Sequence, residues 1–153
     1  MKRVVQEQRL AFVATVCTDG TPNVSPKGTI TVWDDDHLVF ANIRSPGTVA
    51  NLKTNPSVEV NVVDPFARKG YRFKGVASVL DSGPLYDEIL SAYASRGSRV
   101  SVFRELILIE VARAAPLTSP AYDLGRTEAE VRQQWEHHYR QLGSPHAKTP
   151  DSE

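Results

Sequence analysis

Short apolar stretches rich in β-branched residues recur along the chain, and each of them predicts a β-strand. Turns such as Thr18–Pro22 separate these stretches, and the first three stretches predict an antiparallel meander. Gly75 interrupts the fifth stretch and indicates a β-bulge or the close approach of another backbone. The predicted strands are Leu10–Cys17, Asn23–Trp33, Leu38–Asn42, Ser57–Val63, Tyr71–Leu80 and Val100–Ala112.

Helix signals flank and interrupt these strands. A short helix is predicted at the N-terminus, and others over 46–54, 85–95 and 127–142. Ser45 and Pro46 supply an N-cap and a first helical residue, and Thr127 with Glu130 forms a capping box. Six strands with these helices predict a mainly β fold, a six-stranded antiparallel barrel with peripheral helices. We expect one domain over residues 1–143 and a disordered polar tail over 144–153.

Charge and composition narrow the possible functions. Lysines and arginines together number 18, as do aspartates and glutamates, so no net field draws the chain to nucleic acid or an anionic membrane. No apolar run is long enough for a membrane span, and the N-terminus lacks the apolar core of a signal peptide. Cys17 is the single cysteine, and we expect an inert thiol in a cytoplasmic protein.

The segment PNVSPKG, residues 22–28, places two prolines and a lone cation where the pattern favours a strand. Strand alternation puts Val24 and Pro26 on one face and Ser25 and Lys27 on the other. Pro26 lacks a ladder donor, which predicts an edge strand. A hydroxyl and an ammonium on one face form a plausible contact for an anion, since lysine is a common phosphate ligand.

A second polar cluster spans residues 41–52, where a strand ends and a helix begins. A helix N-terminus offers free N–H groups to an anion, with Arg44, Ser45, Thr48 and Asn51 beside it. If Ser25–Gly28 lies next to this segment, both clusters face one phosphate. The alternative is that Ser45 only caps the helix, Thr48 has no special role, and Lys27 and Arg44 are solvated.

The segment ARKGYRF, residues 67–73, forms a third candidate cluster, with cations that could contact a phosphate or a nucleic acid. Its alternative is a basic hairpin with Tyr71 and Phe73 inward and Arg72 outward. The four histidines fit structural or solvated roles, and neither a catalytic dyad nor a metal site is predicted. These histidines are His37, His137, His138 and His146.

The order of these motifs resembles the FMN-binding split β-barrel family, the pyridoxamine 5'-phosphate oxidase-like proteins. The resemblance runs from about Arg9 to Val111 and rests on FVATV, DGTPNVSPKG, DDDHLVFA, RSPGTVANLKTNPSVEV and RFKGVASV. It implies a homodimer with FMN at the interface and hydride or electron transfer through the flavin. Apolar strand faces would then form the dimer interface, so that loss of the dimer means loss of FMN.

The resemblance also assigns roles to individual residues. It places residues 24–27 along the flavin and its phosphate, and the start of the second helix at the phosphate. Lys69 and Arg72 belong to a strand that reaches the cofactor or the partner subunit in relatives. The implied cofactor-binding residues are Val24, Ser25, Pro26, Lys27, Asn42, Arg44, Ser45, Thr48, Asn51, Lys69 and Arg72.

Two departures from the family pattern affect the expected function. Relatives often carry a basic residue where this chain has Gly47, which weakens the expected grip on phosphate. The C-terminal Arg-x-His element of the true oxidase is missing, so vitamin B6 oxidation is not predicted. Deazaflavin or haem in the same barrel, or a flavin-binding module without turnover, are the alternatives to an FMN oxidoreductase.

Overall fold

The computed structural model describes residues 1–143, and the predicted tail 144–153, with His146, lies outside the described residues. Most helices and strands follow the apolar stretches and capping signals of the sequence, but the strand predicted over Val100–Ala112 lies instead at Glu105–Thr118. A short 3₁₀ helix covers Val100–Val102. The other elements are α1 (Lys2–Gln8), β1 (Ala11–Val16), β2 (Pro22–Lys27), β3 (Thr31–Val32), β4 (His37–Asn42), α2 (Pro46–Thr54), β5 (Ser57–Asp64), β6 (Lys69–Leu80), α3 (Pro84–Ser95), β7 (Glu105–Thr118) and α4 (Glu128–Gly143).

All of these strands form one antiparallel sheet in the order β2-β1-β5-β6-β7-β4-β3. The mainly β, split-barrel class is confirmed, and β2 is an edge strand as Pro26 predicted. The strand count is seven because the predicted second strand breaks at residues 28–30. Both antiparallel pairings of the predicted meander are present, β1 with β2 and β3 with β4, but the break places β2 and β3 at opposite ends of the sheet order, so the middle strand is not continuous.

The sheet curls so that its two ends approach each other. Thr29, between β2 and β3, exchanges hydrogen bonds with the backbone of Ala41 in β4, at 3.0 and 3.2 Å. Lys27, the last residue of β2, donates a hydrogen bond to Ser45, which follows β4. We call this meeting of β2 with the end of β4 the barrel split.

Buried apolar side chains from both halves of the sheet fill the barrel. Val13, Val60, Phe73 and Ile107 contribute to one cluster, which Val5 of α1 completes. Because burial of such side chains provides most of the driving force for folding, these strand faces fix the curl that creates the split.

Two glycines of β6 permit close backbone contacts. A register shift between Lys74 and Gly75 confirms the predicted bulge, and a Cβ on Gly75 would lie 2.1 Å from the carbonyl oxygen of Glu110. A Cβ on Gly70 would lie 2.1 Å from the carbonyl oxygen of Val62. Any other residue at either site would push paired strands apart.

We expect Gly70→Ala to lower the free energy of unfolding by about 1–3 kcal/mol, the usual cost of overpacking. The added methyl group meets backbone, which cannot rotate away as a side chain can. Gly47→Ala is the control, because nothing lies within 4 Å of a Cβ there and helical alanine is favourable. Chemical denaturation measures both variants, and equal stabilities would contradict the prediction.

The C-terminal helix α4 packs on the hairpin that joins β5 to β6. The predicted capping box is present, with Thr127 N–H donating to Glu130 Oε2 at 2.7 Å. Arg68 lies 4.1 Å above the Trp135 ring, and Arg132 forms an ion pair with Asp64 at 2.7 Å. None of the helices within residues 1–143 is long and apolar enough to cross a membrane.

Candidate functional site at the barrel split

Lys27 lies buried at the barrel split, with only 4% of its surface exposed. Its Nζ donates to Ser25 Oγ at 2.6 Å and to Ser45 Oγ at 2.8 Å, and lies 5.6 Å from the centre of the Phe40 ring. Among residues 1–143, no carboxylate oxygen lies within 4.0 Å of this ammonium group. Burial therefore lowers the pKa of Lys27, since nothing in the described chain offsets the cost of desolvating its charge.

The N-terminus of α2 lies beside this ammonium group. Ser45 occupies the N-cap position, but its hydroxyl accepts from Lys27 and makes no side-chain cap hydrogen bond. Asn42 Oδ1 instead accepts the backbone N–H of Ser45 at 2.8 Å, and Asn42 Nδ2 donates to Glu105 Oε2 at 2.6 Å. The first-turn N–H groups of α2 are consequently left without a side-chain cap.

Thr48 and Asn51 lie on the buried side of α2, and the structure gives them different surroundings. Thr48 is 2% exposed, and its hydroxyl has no hydrogen-bond partner within residues 1–143. Asn51 Nδ2 donates to Thr15 Oγ1 at 3.1 Å and so ties α2 to β1. Asn23 Nδ2 donates to the same hydroxyl at 3.1 Å, which extends the polar strip along β2.

The strand alternation predicted for β2 is present. Ser25 and Lys27 face the barrel interior, opposite Val13 and Ala11 of β1. Val24 and Pro26 lie exposed on the outer face, and Pro26 pairs with Phe12. Side-chain alternation therefore gives β2 a polar inner face beside α2 and an apolar outer face.

The other three predicted cations differ from Lys27 in exposure or in their partners. Arg44 is exposed and makes no ion pair within residues 1–143. Lys69 pairs with Glu128 at 2.8 Å, and Arg72 pairs with Glu59 at 2.8 Å on the outer face. The local geometry of Lys69 and Arg72 therefore fits the basic hairpin that the sequence offered as the alternative to a phosphate contact.

Sequence reasoning missed three residues that shape the site. Thr15 on β1 and Asn23 on β2 form the polar strip. Glu105 on β7 accepts a hydrogen bond from the Asn42 side chain. Thr15 is the single polar residue of β1, and strand alternation places it on the same buried face as Ala11 and Val13, which could have indicated it. Nothing local indicated Glu105, because its partner lies 63 positions away in the sequence.

A buried ammonium group, two serine hydroxyls and uncapped helical N–H groups meet at one point, which suits an anion. No group of three His, Cys, Asp or Glu side chains within residues 1–143 could hold a metal ion.

The family model described as pyridoxamine 5'-phosphate oxidase matches residues 1–118, from α1 to the end of β7. The chain belongs to the pyridoxamine 5'-phosphate oxidase family. The family match ends before α4, which begins at Glu128.

Solved structures of other proteins share the fold. HupZ of Group A Streptococcus is 32% identical, with a TM-score of 0.70 over 78% of this chain and 92% of its own. An FMN-binding protein from Syntrophomonas wolfei is 17% identical, with a TM-score of 0.64 over 77% of this chain and 84% of its own. HutZ, the heme storage protein from Vibrio cholerae, is 22% identical, with a TM-score of 0.61 over 74% of this chain and 89% of its own. No curated protein sequence matches the chain significantly.

Proposed function

We propose that the protein binds FMN, with the flavin phosphate held at the barrel split. The observation that carries this proposal is the buried Lys27 ammonium group, which has hydroxyl partners but no carboxylate within residues 1–143. A bound phosphate would offset the cost of burying that charge. Its oxygens would also accept hydrogen bonds from the uncapped N–H groups of α2. Ser25, Ser45 and Thr48 would supply hydroxyl hydrogen bonds to the phosphate oxygens.

Relatives often carry a basic residue at position 47, where this chain has glycine. The arrangement around Lys27 makes that missing charge less important for phosphate binding. Arg44 lies three positions before Gly47, exposed and without an ion pair among the described residues. Its side chain is therefore available to an anion that already contacts Lys27. We infer that Lys27 and Arg44 together supply the positive charge that position 47 lacks.

The flavin ring would lie at a homodimer interface. Phe12, Val24 and Val76 lie on the outer face of the sheet with 51%, 61% and 51% of their surfaces exposed. Large apolar side chains exposed on one sheet face are typical of a surface that another chain covers. A second copy packed there would bring Val24 and Pro26 beside the cofactor, as the family resemblance implies.

When bound, FMN would supply hydride or electron transfer, and the chain would position and desolvate it. Deazaflavin and haem remain alternative cofactors. Among residues 1–143, His37 bonds to Asp34, His137 contacts Gln141 and the His138 ring packs edge-on against Trp135, and no imidazole is hydrogen-bonded to Lys27. This favours FMN over a haem with a histidine ligand from the described chain.

Reduction of the bound flavin under anaerobic conditions tests the enzymatic part of this proposal. We expect NADH or NADPH to bleach the visible absorption of the FMN-loaded protein, and an added acceptor to restore it. Free FMN at the same concentration is the control. Bound flavin that no donor reduces and no acceptor oxidises would leave a non-catalytic flavin-binding module.

A further inference from the structure

A polar cavity of about 460 Å³ lies among the end of α1, the connection between β2 and β3, and the end of α3. We call it the α1–α3 cavity. Arg9 and Arg96 line it together with the uncharged polar side chains of Gln6, Thr29 and Ser98. None of its lining residues carries a carboxylate, so its fixed charges are all positive.

The two arginines have no counter-ion in the described part of the chain. The Arg96 guanidinium makes one hydrogen bond, at 3.3 Å to the neutral Thr31 Oγ1, and Arg9 forms no ion pair there. Arg72 and Arg132, by contrast, pair with carboxylates at 2.8 and 2.7 Å. Both arginines are exposed, and two guanidinium groups without ion pairs at a concave site create a positive potential and match the geometry of carboxylate and phosphate groups.

The backbone around the cavity is held in place. Arg9 adopts a left-handed conformation, with φ 52°, at the end of α1, and its N–H donates to the Val5 carbonyl oxygen. Tyr93 Oη donates to the carbonyl oxygen of Thr29 at 2.7 Å. Burial raises the pKa of Tyr93, so its hydroxyl stays protonated and keeps the β2–β3 connection in position.

We propose that the α1–α3 cavity binds a small organic anion bearing a phosphate or carboxylate group, with Arg9 and Arg96 as its charge partners. The volume falls within the range of small-molecule sites, about 300–1,000 Å³. Gly28 lines this cavity directly after Lys27, yet the Lys27 side chain faces Ser45 rather than the cavity. The anion site is therefore separate from the barrel split, and its occupancy does not require bound flavin.

NMR titration of the full chain with inorganic phosphate, and separately with succinate, tests this proposal. We expect saturable shifts of the Arg96 side-chain N–H and of the Gly97 and Ser98 amides, which line the cavity away from Lys27. Arg96→Gln should weaken the apparent affinity at those amides at least about tenfold, because a charge-assisted hydrogen bond is lost. If phosphate binds more tightly than succinate, the site prefers a phosphate group. If succinate binds more tightly, it prefers a carboxylate group.

Two control variants keep the outcome decisive. Arg113→Gln changes the net charge equally but lies outside the cavity, on β7, and should leave the affinity unchanged. Lys27→Ala should also leave it unchanged, whatever its effect on FMN. Absence of saturable shifts, equal affinity in Arg96→Gln, or loss of the shifts in Lys27→Ala would each overturn the proposal.

Discussion

Replacing Lys27 with alanine should weaken FMN binding by about 1–3 kcal/mol, or roughly 5- to 150-fold in affinity. The lysine is 4% exposed and donates to Ser25 and Ser45 at the start of α2. A phosphate at that point would gain a desolvated charge partner, which is worth more than a charge in water. Fluorescence titration of flavin into the unloaded protein measures the change.

Lys53→Ala is the matched control for Lys27→Ala. Lys53 lies on the same helix, in its last turn, and its side chain is exposed. Removing it changes the net charge by the same amount at the opposite end of α2. Equal FMN affinity in Lys27→Ala and Lys53→Ala would contradict the assignment of Lys27 as a phosphate ligand.

Because burial lowers the pKa of Lys27, FMN affinity should depend on pH if Lys27 is a phosphate ligand. Burial favours the neutral amine in the free protein, whereas a bound phosphate would favour the ammonium form. FMN affinity should therefore fall as pH rises through the lowered pKa of Lys27, and binding should take up protons there. Lys27→Ala should abolish that part of the pH dependence, and a variant that keeps it would contradict the proposed role.

A charge on the outer apolar face should dissociate the proposed homodimer and release its flavin. Val24→Asp places a carboxylate where Val24 is 61% exposed and a partner subunit would desolvate it. Burying an unpaired charge costs several kcal/mol, so we expect the dimer dissociation constant to rise at least about 100-fold. Light scattering after size-exclusion chromatography, with the flavin absorbance recorded on each peak, measures both effects.

Leu124→Asp is the matched control for the dimer experiment. Leu124 is 83% exposed, and it lies in the loop before α4 rather than on the outer sheet face. It should leave both the oligomeric state and the flavin content unchanged. A monomeric Val24→Asp protein that still binds FMN with native affinity would separate the cofactor site from the interface and refute the interface proposal.

Features with a local cause could be predicted from the sequence. The alternation of β2 placed Ser25 and Lys27 on one face and Val24 and Pro26 on the other, because side chains alternate along any strand. The bulge at Gly75 followed from a glycine within a strand pattern. The capping box at Thr127 followed from residues three positions apart.

Features that depend on distant contacts could not be predicted in this way. The break at residues 28–30 separates strands at opposite ends of the sheet, and only the curl of the whole sheet places Lys27 beside Ser45. That contact diverts the Ser45 hydroxyl from capping α2, although its position in the sequence indicated a cap. The ion pair between Lys69 and Glu128 joins residues 59 positions apart, so no local pattern could predict it.

The visible absorption spectrum of the purified protein, with mass spectrometry of the ligand released on denaturation, tests the FMN proposal most directly. A flavin spectrum and a released ligand with the mass of FMN are the expected results. Haem or a deazaflavin in its place, or a protein that is colourless and fails to bind added FMN, would contradict the proposal that the barrel split holds an FMN phosphate.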